Sequence, residues 1–314
     1  MVDAVLHIGA PKTATSTLQM RFFPNLREVL YLGKYIIPGS DDRYFTEDLA
    51  QVFRNIETQN MDFDTALNPI KDLINKLCRE NNSNTALFSD ESISVFTGPT
   101  PATKLHRYQA IFDNVKIIYC VRNQMELLKS LYLVSHRSEH LRIYNFGTER
   151  MKWAPTFDQW MEINFRYCYK SLLDCLNFQS MISMYVKSVS KDDIFIYSFE
   201  EFKQDPNNIL NRLCNFIGTT LIDESISEVA NYNENRRATV REHGYVKLRN
   251  WFLPNTRLSK YFPRTLTEKF SNYLTESNEM TAVATPFTIE RVKNFYAADN
   301  EKLDKIYGIN LNVN

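Results

Sequence analysis

The chain has 314 residues, enough to bury a large core in one domain or two. Its 37 Lys and Arg are balanced by 37 Asp and Glu, so no global field draws it to nucleic acid, and no nucleic-acid partner is expected. Twenty-one Phe, 17 Tyr and 3 Trp against only 8 Gly exclude a low-complexity or fibrous chain and fit a compact, helix-rich one.

In chain order, the apolar run Ala4-Val5-Leu6 predicts a short buried strand, and Leu18, Phe22, Phe23 and Leu26 are spaced as a helix. Helical patterns follow at Ala66–Cys78, Ala102–Phe112, Met125–Val134 and Phe165–Val186. Between them Thr85–Ser89, Val115–Val121 and Asp193–Phe199 read as further buried strands. This alternation predicts an α/β fold, a three-layer parallel sheet with helices on both faces. Ligands of such sheets sit at the carboxyl ends of the strands. After Phe199 the pattern is helical: Pro206 opens a helix over Asn208–Ile217 that Gly218 stops, and others cover Val240–Phe252, Leu266–Leu274 and Ile289–Tyr307. No repeat or linker interrupts the chain. One domain over 1–314 is expected, with an α/β core at 1–200 continuous with a mainly helical 201–314.

The cysteines (Cys78, Cys120, Cys168, Cys175, Cys214) are odd in number and lack disulfide or metal spacing, which predicts reduced, buried thiols. The chain starts directly on a strand, so no signal peptide is expected, and no apolar run approaches the roughly 18 residues that span a bilayer. A cytoplasmic protein is the expectation.

Residues 7–19, His-Ile-Gly-Ala-Pro-Lys-Thr-Ala-Thr-Ser-Thr-Leu-Gln, join the first strand to a helix. A helix start aims backbone N–H groups at an anion. Lys12 adds a full charge, and Thr13, Thr15, Ser16 and Thr17 add hydroxyls. The alternative is an ordinary strand-to-helix turn with a solvated lysine. A nucleotide P-loop would place Lys directly after its second Gly, whereas no Gly-Lys pair occurs here. At the end of Val115–Val121 stands Arg122, with Ser130 eight residues on and Tyr132 ten. The turn between strand and helix can bring Arg122 back beside Ser130, and a guanidinium fork plus a hydroxyl suits a terminal phosphate.

The order Pro11-Lys12-Thr13-Ala14-Thr15-Ser16, followed by Arg122-Asn123-Gln124 and Ser130, resembles the sulfotransferases that use 3′-phosphoadenosine 5′-phosphosulfate (PAPS). Phe195–Phe202, Asp205-Pro206, Phe216-Ile217-Gly218 and the closing Phe295–Leu303 resemble later segments of that family. The resemblance implies a P-loop-like fold, PAPS as donor, and a 5′-phosphosulfate loop made of Pro11, Lys12, Thr13, Ala14, Thr15, Ser16 and Thr17. It assigns Arg122 and Ser130 to the 3′-phosphate, and suggests that a late basic loop, here Arg236, Arg237 and Arg241, closes over the donor. The closing segment implies a saccharide or glycolipid acceptor. Ala14 stands where the family most often has Gly; if the turn needs positive φ there, alanine is mildly strained.

Transfer to a hydroxyl needs a base. Asp90 and Glu91 end the Thr85–Ser89 run, and Glu91 is the candidate; His136 and His140 are rivals, while His7 reads as a core histidine. His136-Arg-Ser-Glu-His140 also fits a zinc-peptidase pattern, but a charged helix end is the simpler account and no metal is expected. Residues 247–269 hold Lys247, Arg249, Arg257, Lys260, Arg264 and Lys269 against Glu268, with aromatics interleaved. They offer either a peripheral contact for an anionic saccharide or membrane surface, or amphipathic helices with snorkelling cations. A nucleotide kinase and a non-catalytic nucleotide-binding protein are the alternative functions.

Overall fold

The computed structural model describes residues 2–33, 56, 62–94, 99–135, 155–166, 172–222, 239–252 and 264–311. By its contacts the chain divides into two compact units, one of Met1–Arg122, Phe178–Glu234 and Asp299–Asn310, the other of Asn123–Asn177, Asn235–Ala298 and Leu311–Asn314.

The first unit is built on a five-stranded parallel sheet. Its strands are β1 (Asp3–Gly9), β2 (Val29–Tyr31), β3 (Thr85–Ser89), β4 (Val115–Val121) and β5 (Ile194–Ser198), in the order β2-β3-β1-β4-β5. β1 lies in the middle: Asp3 pairs with Thr85 and His7 with Ser89 on one side, and Ala4 pairs with Val115 and Gly9 with Cys120 on the other. A strand covered on both faces must be apolar throughout rather than alternating. That is why the short runs of β1, β3 and β4 were legible. β2 was not predicted, because three residues, Val-Leu-Tyr, carry no period of their own.

Helices cover both faces. On one face Leu18, Phe22 and Phe23 pack with Val5, Leu87, Ile118, Tyr197, Ile209 and Leu213. Helices α8 (Phe199–Gln204) and α9 (Pro206–Ile217) therefore belong to the sheet's own core. Asp205 caps α9 by accepting from the Asn208 N–H at 3.1 Å, Pro206 sits in its first turn, and Gly218 ends it at φ 85°. On the other face Phe88 meets Tyr108 and Phe112 edge-on, and Tyr119 meets Phe178 and Tyr185. These rings are carried by α3 (Pro101–Ile111), its C-terminal neighbour Phe112, and α7 (Phe178–Val186).

The single helix expected over Phe165–Val186 is broken. The described pieces are α5 (Phe157–Arg166), α6 (Leu172–Cys175) and α7. At the second break the Asp299 carboxylate, 120 residues away in sequence, accepts from the Gln179 N–H at 2.8 Å, and it also accepts from the Ser180 N–H and hydroxyl. A cap from so distant a residue leaves no local signature.

In the second unit α4 (Gln124–Ser135) brings Tyr132 against Phe157 and Trp160, and the Tyr132 hydroxyl donates to the Pro155 carbonyl at 2.8 Å. Arg291 pairs with Glu162 and lies over Phe165. Helices α10 (Val240–Phe252) and α11 (Arg264–Thr275) are joined by Arg241, which donates to the Tyr273 and Glu276 carbonyls, each at 3.0 Å. The last helix is α12 (Pro286–Tyr307). Cys78, Cys120, Cys175 and Cys214 are buried free thiols; Cys168 lies outside the described residues. No helix among the described residues is long and apolar enough to cross a membrane.

Gly9 ends β1 at φ 148°, and a Cβ there would stand 2.9 Å from the Cys120 carbonyl oxygen. Gly9→Ala must push β1 and β4 apart, and we expect it to cost about 2–3 kcal/mol in urea denaturation. An unchanged midpoint would show that the close approach of the two strands is dispensable.

Candidate active site

Beyond Gly9 the chain turns through two non-glycine residues at positive φ, Lys12 at 71° and Ala14 at 62°. A non-glycine residue in this region is strained. The left-handed conformation anticipated for Ala14 is therefore present, and Lys12 shares it. Ala14 leads directly into α1 (Thr15–Thr17), a single helical turn that widens into a π turn over Leu18–Phe22. A left-handed residue followed by right-handed ones turns successive N–H groups to one side, the geometry of an anion nest.

Side chains hold this loop by its carbonyls. Ser94 donates to the Gly9 carbonyl at 2.9 Å, Thr13 to that of Ala10 at 2.8 Å, and Arg122 to that of Lys12 at 2.6 Å. The partial negative charge of three loop carbonyls is thereby met by donors of the protein itself. Arg122 follows directly on β4, and its guanidinium lies over the Phe199 ring at 4.4 Å. The Thr13 side chain is fully buried, so its hydroxyl serves the loop's own structure rather than facing outward as the sequence suggested. Thr15 donates to Glu91 Oε1 at 2.5 Å. Glu91 heads a 3₁₀ turn over Glu91–Ser94, so the Ser94 hydroxyl that bonds Gly9 also ties Glu91's turn to the loop. Thr17 is buried, while Pro11, Lys12 and Ser16 are half-buried.

Beneath the loop Ser89 is a polar hub. Its hydroxyl meets His7 Nδ1 at 2.6 Å and accepts from Gln19 Nε2 at 3.1 Å, and Gln19 also donates to the Ser89 carbonyl at 3.0 Å. His7 is a core histidine, as its position in a buried strand implied, and its ring packs against Phe23. Ser89, Gln19 and Ser94 were not singled out from sequence. They stand among apolar residues, and only the fold shows that they converge under one turn. Burial pushes the Cys120 thiol up to about 12, which favours its protonated form. Burial also raises the Tyr31 phenol far above its ordinary value, and the charges of Glu91 and Asp90 add to that.

The carboxyl ends of β1, β3 and β4 thus bring together Pro11, Lys12, Thr13, Ala14, Thr15, Ser16, Thr17, Glu91 and Arg122. Ser130 lies on α4 in the second unit and is half-buried. Arg241 is not in a loop but in α10, with its guanidinium committed to α11. His136, His140, Arg236 and Arg237 lie outside the described residues, as do most side chains of the basic stretch 247–269; Glu268 and Lys269 are exposed on α11. Among the described residues no group of three or more His, Cys, Asp or Glu is arranged to hold a metal.

The family model for the sulfotransferase domain matches residues 4–304, and the chain belongs to that family. Over 156 residues it is 24% identical to the 3-beta-hydroxysteroid sulfotransferase of the guinea pig, Cavia porcellus, a match covering 48% of this chain and 47% of that protein. The chain thus spans about half the length of the curated relative it matches. A sulfotransferase from Alicyclobacillus acidocaldarius has the same fold, with a TM-score of 0.50 at 14% identity over 98% of this chain and 96% of that one. A mouse sulfotransferase complexed with PAP gives a TM-score of 0.42 at 12% identity, over 97% of this chain and 89% of that one.

Burial holds the His7 imidazole down to about 4 from 6.5, against the opposing influence of Glu91. The unfolded chain therefore takes up a proton at His7 that the folded chain refuses until lower pH. The stability due to neutral His7 is complete above its unfolded value and is lost as the pH falls toward the folded one, by up to about 3 kcal/mol. His7→Asn keeps a polar atom near Nδ1 without a titrating ring. It should lose less stability than the wild type between about pH 7 and about pH 4.5 in urea denaturation. Parallel losses would remove His7 from the acid sensitivity.

Proposed function

We propose that this protein transfers a sulfuryl group from PAPS to an acceptor hydroxyl, through one catalytic domain that includes both compact units. The observation that carries this reading is the strained loop after β1. Its carbonyls are tied back by Ser94, Thr13 and Arg122, so their partial negative charge does not oppose an anion that meets Lys12, Ser16 and the backbone N–H groups of the loop. Such a loop fits a phosphosulfate: its backbone donors are fixed before the ligand arrives, so little backbone reorganisation accompanies reaction.

In this reading Lys12 neutralises charge that builds on the bridging oxygen as the nucleotide leaves. Thr15, Ser16, Thr17 and the backbone N–H groups of the loop hold the 5′-phosphosulfate. Arg122 and Ser130 hold the 3′-phosphate, and Arg236 or Arg237 adds a further contact to it. Glu91 takes the acceptor proton, with His136 the competing base. Its hydrogen bond to Thr15 supports Glu91, because it places the carboxylate at the edge of the anion loop. A saccharide or glycolipid acceptor rests on the resemblance of Phe295–Leu303, and reduced, buried thiols suit a cytoplasmic setting.

The direct test is melting in the presence of 3′-phosphoadenosine 5′-phosphate (PAP) or ATP, followed by transfer from labelled PAPS into acceptor pools. PAP should stabilise the protein more than ATP does; stabilisation by ATP alone would favour a kinase. Lys12→Ala should keep the melting temperature and lose at least about a hundredfold in turnover, the equivalent of roughly 3 kcal/mol of barrier. Near-normal turnover at saturating donor would deny Lys12 that role.

Arg122→Ala should weaken PAP binding by about tenfold or more. Adenosine 5′-phosphosulfate, which lacks the 3′-phosphate, should lose less, though still some, because Arg122 also holds the Lys12 carbonyl. Equal losses for the two ligands would make Arg122 a support of the loop alone.

A further inference from the structure

The Thr15 hydroxyl has one proton to donate, and here it goes to Glu91 Oε1 at 2.5 Å. The side chain that gives it is 4% exposed. Both partners are carried on one frame. Thr15 follows the left-handed Ala14, and Glu91's 3₁₀ turn is fastened to the same loop through the Ser94 hydroxyl on the Gly9 carbonyl. The Asp90 N–H donates to the His7 carbonyl at 3.2 Å, which fixes the chain just ahead of Glu91 to β1. The half-buried carboxylate therefore takes up a donor of the anion loop.

A hydroxyl cannot give the same proton to Glu91 and to a phosphosulfate oxygen at once. The geometry points to Thr15 as a positioning residue that alternates between Glu91 and the bound donor, so that donor binding releases the Glu91 carboxylate to the acceptor. This rests on the assignment of the loop to the donor and adds a coupling to it. With the loop empty, Thr15 holds the carboxylate. With the donor in place, the hydroxyl turns to the donor's oxygens. A carboxylate that gives up a hydrogen-bond donor is a stronger proton acceptor. Base strength then rises only when a nucleotide fills the loop, which gives a binding order of donor first and acceptor second. The competition also has a consequence that needs no acceptor to observe: Glu91 weakens nucleotide binding through Thr15.

PAP titrated calorimetrically into the full chain tests this, with every variant first checked for a cooperative melting transition. Glu91→Ala should bind PAP about tenfold more tightly than the wild type, since the hydroxyl no longer has to leave a carboxylate. Glu91→Gln should stay closer to the wild type, because its amide oxygen still accepts from Thr15. The gain should vanish in Thr15→Val/Glu91→Ala compared with Thr15→Val, and persist with Thr15→Ser. Should Glu91→Ala fail to melt cooperatively, Glu91→Asp, whose carboxylate is drawn back by one methylene, must show the same direction of change. Equal or weaker PAP binding by Glu91→Ala, or by Glu91→Asp where it stands in for Glu91→Ala, overturns the coupling. A gain of the same size with valine at position 15 assigns the effect to charge repulsion alone and overturns it equally. If the wild-type protein does not bind PAP, the donor assignment itself fails.

Discussion

β1 is held between β3 and β4 so closely that its last residue has no room for a side chain. Gly9 pairs with Cys120, and its would-be Cβ would stand 2.9 Å from the Cys120 carbonyl oxygen, at the sheet's carboxyl edge. Three consequences follow from that one packing constraint. The chain leaves the sheet in a left-handed turn. The turn emerges beside the end of β3, which delivers Glu91, and the end of β4, which delivers Arg122. Both residues can therefore touch the loop, one through Thr15 and the other through the Lys12 carbonyl. In a parallel sheet the segments that follow neighbouring strands emerge side by side at this edge, however far apart they lie in sequence.

The loop is stabilised from behind rather than by its own conformation. Two non-glycine residues at positive φ cost energy, and three side-chain donors on loop carbonyls offset it. Below them Ser89 links His7 of β1 to Gln19 of the π turn, and the face beneath is filled by Phe22, Phe23 and the residues of α9. The π turn itself follows from this packing, since a wider turn brings Leu18, Gln19 and Phe22 together into the buried layer. Fixed donors at a developing charge are the physical requirement for sulfuryl transfer as for phosphoryl transfer. For the proposed transfer, the packing behind the loop is what supplies it.

Much of this was legible in the sequence, and the reasons are specific. Apolar runs disclosed β1, β3 and β4 because both faces are covered, and β5 was disclosed by its apolar composition although only Tyr197 of it is buried. Asp205, Pro206 and Gly218 disclosed α9 because caps are local chemistry. The loop was legible from its cation and hydroxyls, and Ala14 from the conformation the motif requires. What was not legible depends on distance. The Asp299 cap that starts α7 comes from the far end of the chain. Thr13 looked like a ligand-facing hydroxyl, yet its carbonyl partner three residues back turns it inward. Arg241 looked like a loop cation, yet α11 takes up its guanidinium. The Ser89 hub is invisible without the register that sets Ser89 opposite His7.

A crystal structure of the protein with bound PAP tests the central claim most directly. The account predicts the 5′-phosphate within hydrogen-bond distance of Lys12 and Thr15, the 3′-phosphate on Arg122, and Thr15 no longer bonded to Glu91. A nucleotide bound away from the loop after β1, or one whose 5′-phosphate leaves the Thr15–Glu91 hydrogen bond intact, would contradict it.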